Sequence, residues 1–161
     1  MIEKLRDWIV SLADKDNFIG KMAKIFVKYE EIITYLIVGG LTTVVSMVAM
    51  FLFNYFAFDN TLYPTEMQNL ALSVVNWTAG VIFAYFTNRR YVFKSKAPML
   101  TEIPKFVSSR VITLLMDVII RQVFAALGID IIITTIVSAV LVIIGNYIFS
   151  KLLVFNKKKD K

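Results

Sequence analysis

Three charged side chains, Arg110, Asp117 and Arg121, interrupt an otherwise apolar segment between Phe106 and Leu127. On a helix they fall within about 20° of one line. Two guanidiniums at different depths can each bind a phosphate through paired hydrogen bonds. The pattern therefore predicts an anion path along one helix face. The alternative is an Asp117–Arg121 ion pair that only locks the bundle, and it leaves Arg110 without a partner.

Polar residues in the other apolar segments extend this candidate site. Asn76 lies near the middle of an uncharged run, where it makes either an interhelical hydrogen bond or a contact to a polar ligand group. Asn146 lies near the end of the last uncharged run, and Lys151 directly follows that run. We count both among the candidate substrate-binding residues.

The segment 88–93 reads Asn-Arg-Arg-Tyr-Val-Phe and closes the second apolar run. Two interpretations stay open for Asn88, Arg89 and Arg90. They form an ordinary basic and aromatic anchor at the membrane surface, or a phosphate clamp at the entrance of the path.

Membrane-spanning helices must position these residues. The chain of 161 residues is 58% hydrophobic, with a mean hydropathy of +0.68, whereas soluble domains are roughly 45–50% apolar. About 20 apolar residues cross a hydrocarbon core of about 30 Å. We predict an all-α membrane protein with four transmembrane helices, at about 32–57, 68–90, 104–127 and 130–153.

A weak internal repeat organises these helices. Tyr85, Val92 and Phe93 reappear 62 positions later as Tyr147, Val154 and Phe155. The spacing predicts two parallel helical-hairpin repeats, and transporters commonly bind substrate between such halves. A chance match between apolar segments is the alternative.

Segments of different character flank this transmembrane domain, which we place at residues 31–156. Residues 1–30 show apolar residues at helical spacing and predict one or two amphipathic helices. Such a segment lies in the membrane interface or docks a partner. Residues 157–161 form a basic tail.

The distribution of Lys and Arg predicts the orientation. Basic residues precede the first span, follow the last and fill the 89–105 loop, whereas the other two connections have none. The positive-inside rule places both termini and this loop in the cytoplasm. The net charge of +6 is therefore a topology signal, and we expect no nucleic-acid partner.

The chain contains no Cys and no His. This excludes disulfides, thiol nucleophiles, imidazole bases and Cys/His zinc sites. The sequence also shows no cofactor loop. We predict a protein that is not an enzyme and that uses no cofactor or metal.

Several motifs resemble the GtrA-like family of small four-helix membrane proteins. The resemblance covers about residues 30–156, and its most specific part is the Asn-Arg-Arg-x-Val-Phe motif at 88–93. The chain departs from the common pattern at Lys151-Leu152, where a second basic-aromatic pair is often seen. The other matching segments are Tyr35 to Thr43, Phe106 with Ser109-Arg110, and Asn146 with Ser150-Lys151 and Val154-Phe155.

The resemblance implies a role in bacterial cell-surface polysaccharide or teichoic acid glycosylation. Members are thought to move polyprenyl-phosphate-linked sugars across the cytoplasmic membrane, commonly beside a membrane glycosyltransferase. We expect such a flippase, working as a homo-oligomer, with a dimer favoured. The alternatives are a non-transporting subunit of the glycosyltransferase and a small multidrug-type exporter. The exporter is disfavoured because that class uses an acid in its first span, and here the first span has none.

Overall fold

The computed structural model describes residues 2–13 and 18–155, and this part of the chain is all-helical, as predicted. The predicted basic tail, residues 157–161, lies outside the described residues. Two helices lie within residues 1–30. The α-helices of the described residues are α1 (Ile2–Ala13), α2 (Phe18–Lys28), α3 (Glu30–Phe58), α4 (Glu66–Thr87), α5 (Met99–Ala126) and α6 (Ile131–Phe149).

Two of the helices end in π-helical turns. After α4 the turn is Asn88–Val92, and after α6 it is Ser150–Val154. The Phe93 N–H donates to the Asn88 carbonyl over 2.9 Å, and the Phe155 N–H donates to the Ser150 carbonyl over 2.8 Å. π turns are rare and are frequent at functional sites. Both turns lie at the same end of the molecule, so this end is a candidate functional region.

Three helical segments of the described chain are long and apolar enough to cross a membrane, Glu30–Phe58, Glu66–Val92 and Ile131–Val154. They correspond to the first, second and fourth predicted spans. The third predicted span corresponds to α5, which carries three charged residues after Phe106. Helix α5 begins at Met99 instead of about residue 104, because Glu102 in its first turn interrupts the apolar run from which the span is predicted.

Local sequence signals explain where the helices turn back. The Thr65 hydroxyl accepts from the Gln68 N–H and the Gln68 side chain accepts from the Thr65 N–H, so a capping box starts α4. Gly128, with φ of 68°, follows the end of α5 in the left-handed conformation that glycine permits. The Asp130 carboxylate accepts from the Ile132 N–H over 2.7 Å and starts α6.

The buried core lies at the end that carries the π turns. Phe93 and Phe155, which directly follow the two turns, stack with ring centroids 4.9 Å apart. Tyr85 and Phe106 meet edge to face at 5.5 Å. These contacts join the α3–α4 hairpin to the α5–α6 hairpin. We call this region the basic end, because Arg89 and several lysines lie there too.

Candidate functional site

A central cavity of about 360 Å³ lies between the two hairpins. It brings together four of the predicted site residues from three helices: Asn76 of α4, Arg110 and Asp117 of α5, and Asn146 of α6. The rest of its wall is formed by small and apolar residues such as Gly80 and Ala84. The side chains that the sequence singles out as polar in apolar segments therefore share one space.

Arg110 is held by aromatic residues. Its guanidinium lies 4.4 Å from the centroid of the Phe106 ring, a cation–π contact. The Tyr35 hydroxyl also interacts with the guanidinium. The Arg110 Nε is buried and has no hydrogen-bond partner among the described residues. The guanidinium thus has aromatic partners outside the Asp117–Arg121 ion pair, and its Nε keeps a donor that no described residue uses.

Asp117 forms the ion pair that the sequence offers as the structural alternative. The Arg121 Nε lies 3.0 Å from each Asp117 carboxylate oxygen, and the Ser138 hydroxyl donates to the same carboxylate. Arg121 also donates to the Thr135 hydroxyl over 3.4 Å. Arg121 does not line the central cavity. Asp117 is therefore a cavity residue with its charge largely compensated, and Arg121 lies beside the cavity.

The two amides of the cavity differ in their hydrogen bonding. The Asn146 Oδ1 accepts from the Thr113 hydroxyl over 2.8 Å. The Asn76 Oδ1 is buried and has no partner among the described residues. Since buried polar atoms are normally bonded, an unpaired acceptor on Asn76 and an unpaired donor on Arg110 suit a ligand that carries both hydroxyls and an anion.

The basic end contains a buried cluster around Glu102, which the sequence patterns do not indicate. Its carboxylate accepts from the Arg89 Nε over 2.6 Å and from the Tyr85 hydroxyl over 3.1 Å. Ser95 donates to the same carboxylate, and Arg89 also donates to the Ala97 carbonyl. Glu102 is 1% exposed. Arg89, predicted as part of a phosphate clamp, is thus held by a buried carboxylate from the first turn of α5.

A second cluster of a glutamate, a basic residue and a tyrosine lies at the same end. The Lys151 Nζ is 2.9 Å from the Glu31 carboxylate, and the Tyr147 hydroxyl donates to Glu31 over 2.7 Å. Lys151 and Tyr147 follow Arg89 and Tyr85 by 62 positions each. This cluster is more open, with side-chain exposures of 49% for Lys151 and 35% for Glu31. Lys151 therefore lies at the helix ends and not in the central cavity.

Asn88 and Arg90 complete the predicted entrance group, and they lie in different surroundings. Arg90 is exposed and lies 5.6 Å from the Tyr91 ring centroid, with no ion pair among the described residues. Asn88 is buried, and its Oδ1 has no partner in the same part of the chain. Of the three residues 88–90, Arg90 is the one exposed to an approaching anion.

The chain is similar to known proteins. The family described as GtrA/DPMS, transmembrane domain, matches residues 34–155. The cell wall teichoic acid glycosylation protein GtcA of Listeria innocua is 35% identical over 136 residues, which cover 80% of this chain and 86% of that protein. GtcA of Listeria monocytogenes serovar 1/2a is 34% identical over 133 residues, with the same shares. The Bacillus subtilis membrane protein YwcD is 29% identical over 135 residues, covering 79% of this chain and 98% of YwcD. No solved structure matches the chain.

The matched region contains the central cavity, the stacked phenylalanines and both π turns. The resemblance read from the motifs is therefore confirmed. The chain belongs to the GtrA/DPMS transmembrane domain family.

Proposed function

We propose that this protein moves a polyprenyl-phosphate-linked sugar across a bacterial cytoplasmic membrane. The names of the Listeria relatives support a role in the glycosylation of cell-surface polymers. The observation that carries the transport proposal is the central cavity, which Arg110, Asn76 and Asn146 all line. One cation and two amides suit a ligand with one phosphate and a polar sugar.

The proposed arrangement uses α5 as the fourth membrane span. A charge at a helix centre costs about 2.5–3.5 kcal/mol on insertion scales, so charged residues there face protein or a polar cavity. Arg110 and Asp117 line the cavity and meet this condition. The basic end and both termini lie in the cytoplasm, because Lys and Arg concentrate there.

Two parallel repeats fit the same arrangement. The π turns begin 62 positions apart, at Asn88 and Ser150, and each follows a tyrosine and precedes a phenylalanine of the core. The Glu102 and Glu31 clusters each join a glutamate, a basic residue and a tyrosine. These correspondences support two hairpins of common design with the substrate between them.

The proposed path begins at Arg90, which attracts the phosphate at the cytoplasmic surface. Arg110 then binds the phosphate in the cavity, while Asn76 and Asn146 bind sugar hydroxyls. Arg121 receives the phosphate in the outer half of the membrane. Its ion pair with Asp117 keeps Arg121 from binding the phosphate too tightly. Moderate successive sites let an ion leave as well as enter. The polyprenyl tail stays in lipid throughout.

In this proposal the protein is not an enzyme and needs no cofactor. Movement is reversible, and consumption of the sugar outside gives it direction. Arg89 and Lys151 act by fixing the helix ends to Glu102 and Glu31. Asn88, the first residue of the π turn after α4, is buried at the basic end.

We also propose that the protein assembles as a homodimer beside a membrane glycosyltransferase. A Cβ added to Gly39 or Gly40 of α3 would meet no neighbouring side chain within 4 Å, and small residues permit close contact between helices in lipid. On α2, Phe18 and Met22 are exposed, which suits an interfacial or partner-facing helix.

The experiment that separates transport from an accessory role uses the purified native chain alone. The protein is placed in vesicles with a lipid-linked sugar, and an impermeant reagent reports sugar in the outer leaflet. We expect protein-dependent movement without any glycosyltransferase. If movement requires the glycosyltransferase, the chain is an accessory subunit and the transport proposal is wrong.

A further inference from the structure

A second cavity, of about 720 Å³, lies at the basic end, away from the central cavity. It is formed by the first turns of α5, the loop before α5 and the π turn after α6. Its wall includes Thr101, Lys105 and Ser108 of α5, and Leu152 and Leu153 of the π turn. None of the predicted site residues lines it.

The wall of this cavity changes from polar to apolar along α5. Thr101, Lys105, Ser108 and Ile112 all line it, and their spacing of three and four residues places them on one helix face. At 1.5 Å per residue this face is about 16 Å long. The polar groups lie at the basic end, and Ile112 lies toward the middle of the bundle. The cavity therefore matches an amphiphile with a polar head and an apolar chain.

Lys105 supplies the charge of the polar part. It is exposed and has no ion pair among the described residues, whereas Lys94 lies 3.1 Å from a Glu30 carboxylate oxygen. The carboxylate in the same cavity wall, Glu102, already accepts bonds from Arg89 and its neighbours. Lys105 is thus available to bind an anionic group.

We propose that this cavity is a loading site for a polyprenyl phosphate carrier. Its phosphate binds the Lys105 ammonium and the Ser108 hydroxyl, and its first isoprene units lie against Ile112 and Leu153. The inference rests on the proposed function. It favours the carrier over bulk phospholipid because Ser109 of the cavity wall directly precedes Arg110, which lines the central cavity. A carrier bound here is therefore adjacent to the path for its head group.

The test is equilibrium binding of a fluorescent short-chain polyprenyl phosphate to the purified protein in detergent. Lys105→Gln should weaken binding about tenfold, as expected for the loss of a charge-assisted bond to phosphate. Lys94→Gln removes the same charge from the same end, outside the cavity, and should leave binding unchanged. Leu153→Trp, which fills the apolar part, should also weaken binding, and a thermal unfolding curve checks that it folds.

Competition distinguishes the possible occupants. Unlabelled polyprenyl phosphate should displace the probe, whereas phosphatidylglycerol and polyprenol without phosphate should not. If phosphatidylglycerol displaces the probe equally well, the cavity is an ordinary lipid site. If Lys105→Gln binds the probe as tightly as the native protein, Lys105 does not bind the phosphate. Either result overturns the proposal. Lys105-dependent binding without transbilayer movement by the native chain would refute transport and leave the loading site standing.

Discussion

Replacing Glu102 with Gln removes the charge from a buried carboxylate that accepts bonds from Arg89, Tyr85 and Ser95. The side chains of the Arg89–Glu102 pair are 17% and 2% exposed. Removing one partner of a buried ion pair costs about 3–5 kcal/mol, because the other charge stays buried. We expect the lower end, about 3 kcal/mol, since Arg89 keeps its bond to the Ala97 carbonyl and Gln keeps one acceptor.

Glu31→Gln is the matched control, because Glu31 pairs with Lys151 and Tyr147 at the same end of the molecule. That pair is half-exposed, and exposed ion pairs contribute about 0–1 kcal/mol. The assay is denaturant unfolding in mild detergent, followed by fluorescence of Trp8 and Trp77, the two tryptophans of the chain.

The double variant Arg89→Gln/Glu102→Gln sharpens the test. It removes both charges, so it should recover part of the stability that Glu102→Gln loses. Glu102→Gln and Glu31→Gln could instead lower the free energy of unfolding equally. Burial would then not determine how much each ion pair stabilises the protein, and the larger contribution that we assign to the Glu102 cluster would be wrong.

The helix contacts and the charge distribution give two further predictions. A Cβ on Gly80 lies 3.3 Å from the Ser46 Cβ, so Gly80→Ala should destabilise the protein in the same unfolding assay. Gly39→Ala meets no neighbouring atom of its own chain within 4 Å, so in the detergent-solubilised monomer it should be neutral or stabilising by about 0.5–1 kcal/mol; equal effects in the monomer would contradict the close approach of α3 and α4. Single cysteines at Asn60 and Lys96 report topology in this cysteine-free chain: an impermeant thiol reagent outside intact cells should label position 60 and not position 96, and the reverse pattern would overturn the orientation.

The apolar runs are sufficient to predict the helices, because long uncharged stretches have few other structures open to them. The polar residues inside those runs are equally informative. Asn76, Arg110, Asp117 and Asn146 stand out in the sequence, and the structure brings them to one cavity. Residues that are costly in lipid must face protein or a polar space, and this requirement makes their environment predictable.

The ion pairs at the basic end are not predictable in the same way. Glu102 lies in a polar stretch, where an acidic residue is ordinarily solvated, and its burial depends on Tyr85 and Arg89 from another helix. Sequence spacing also cannot decide whether Arg121 lines the cavity. Its ion pair with Asp117 lies within α5, whereas its bond to Thr135 depends on how α5 packs against α6.

The proposed transport depends on Arg110 binding the phosphate of a lipid-linked sugar in the central cavity. The most direct measurement is the initial rate of transbilayer movement in vesicles that contain native protein, Arg110→Gln or the charge-matched control Lys94→Gln. We predict that Arg110→Gln slows movement about tenfold or more, from the loss of a charge-assisted bond worth about 1.5–3 kcal/mol, while Lys94→Gln moves the lipid at the native rate. An unchanged rate in a folded Arg110→Gln protein would contradict this role for Arg110.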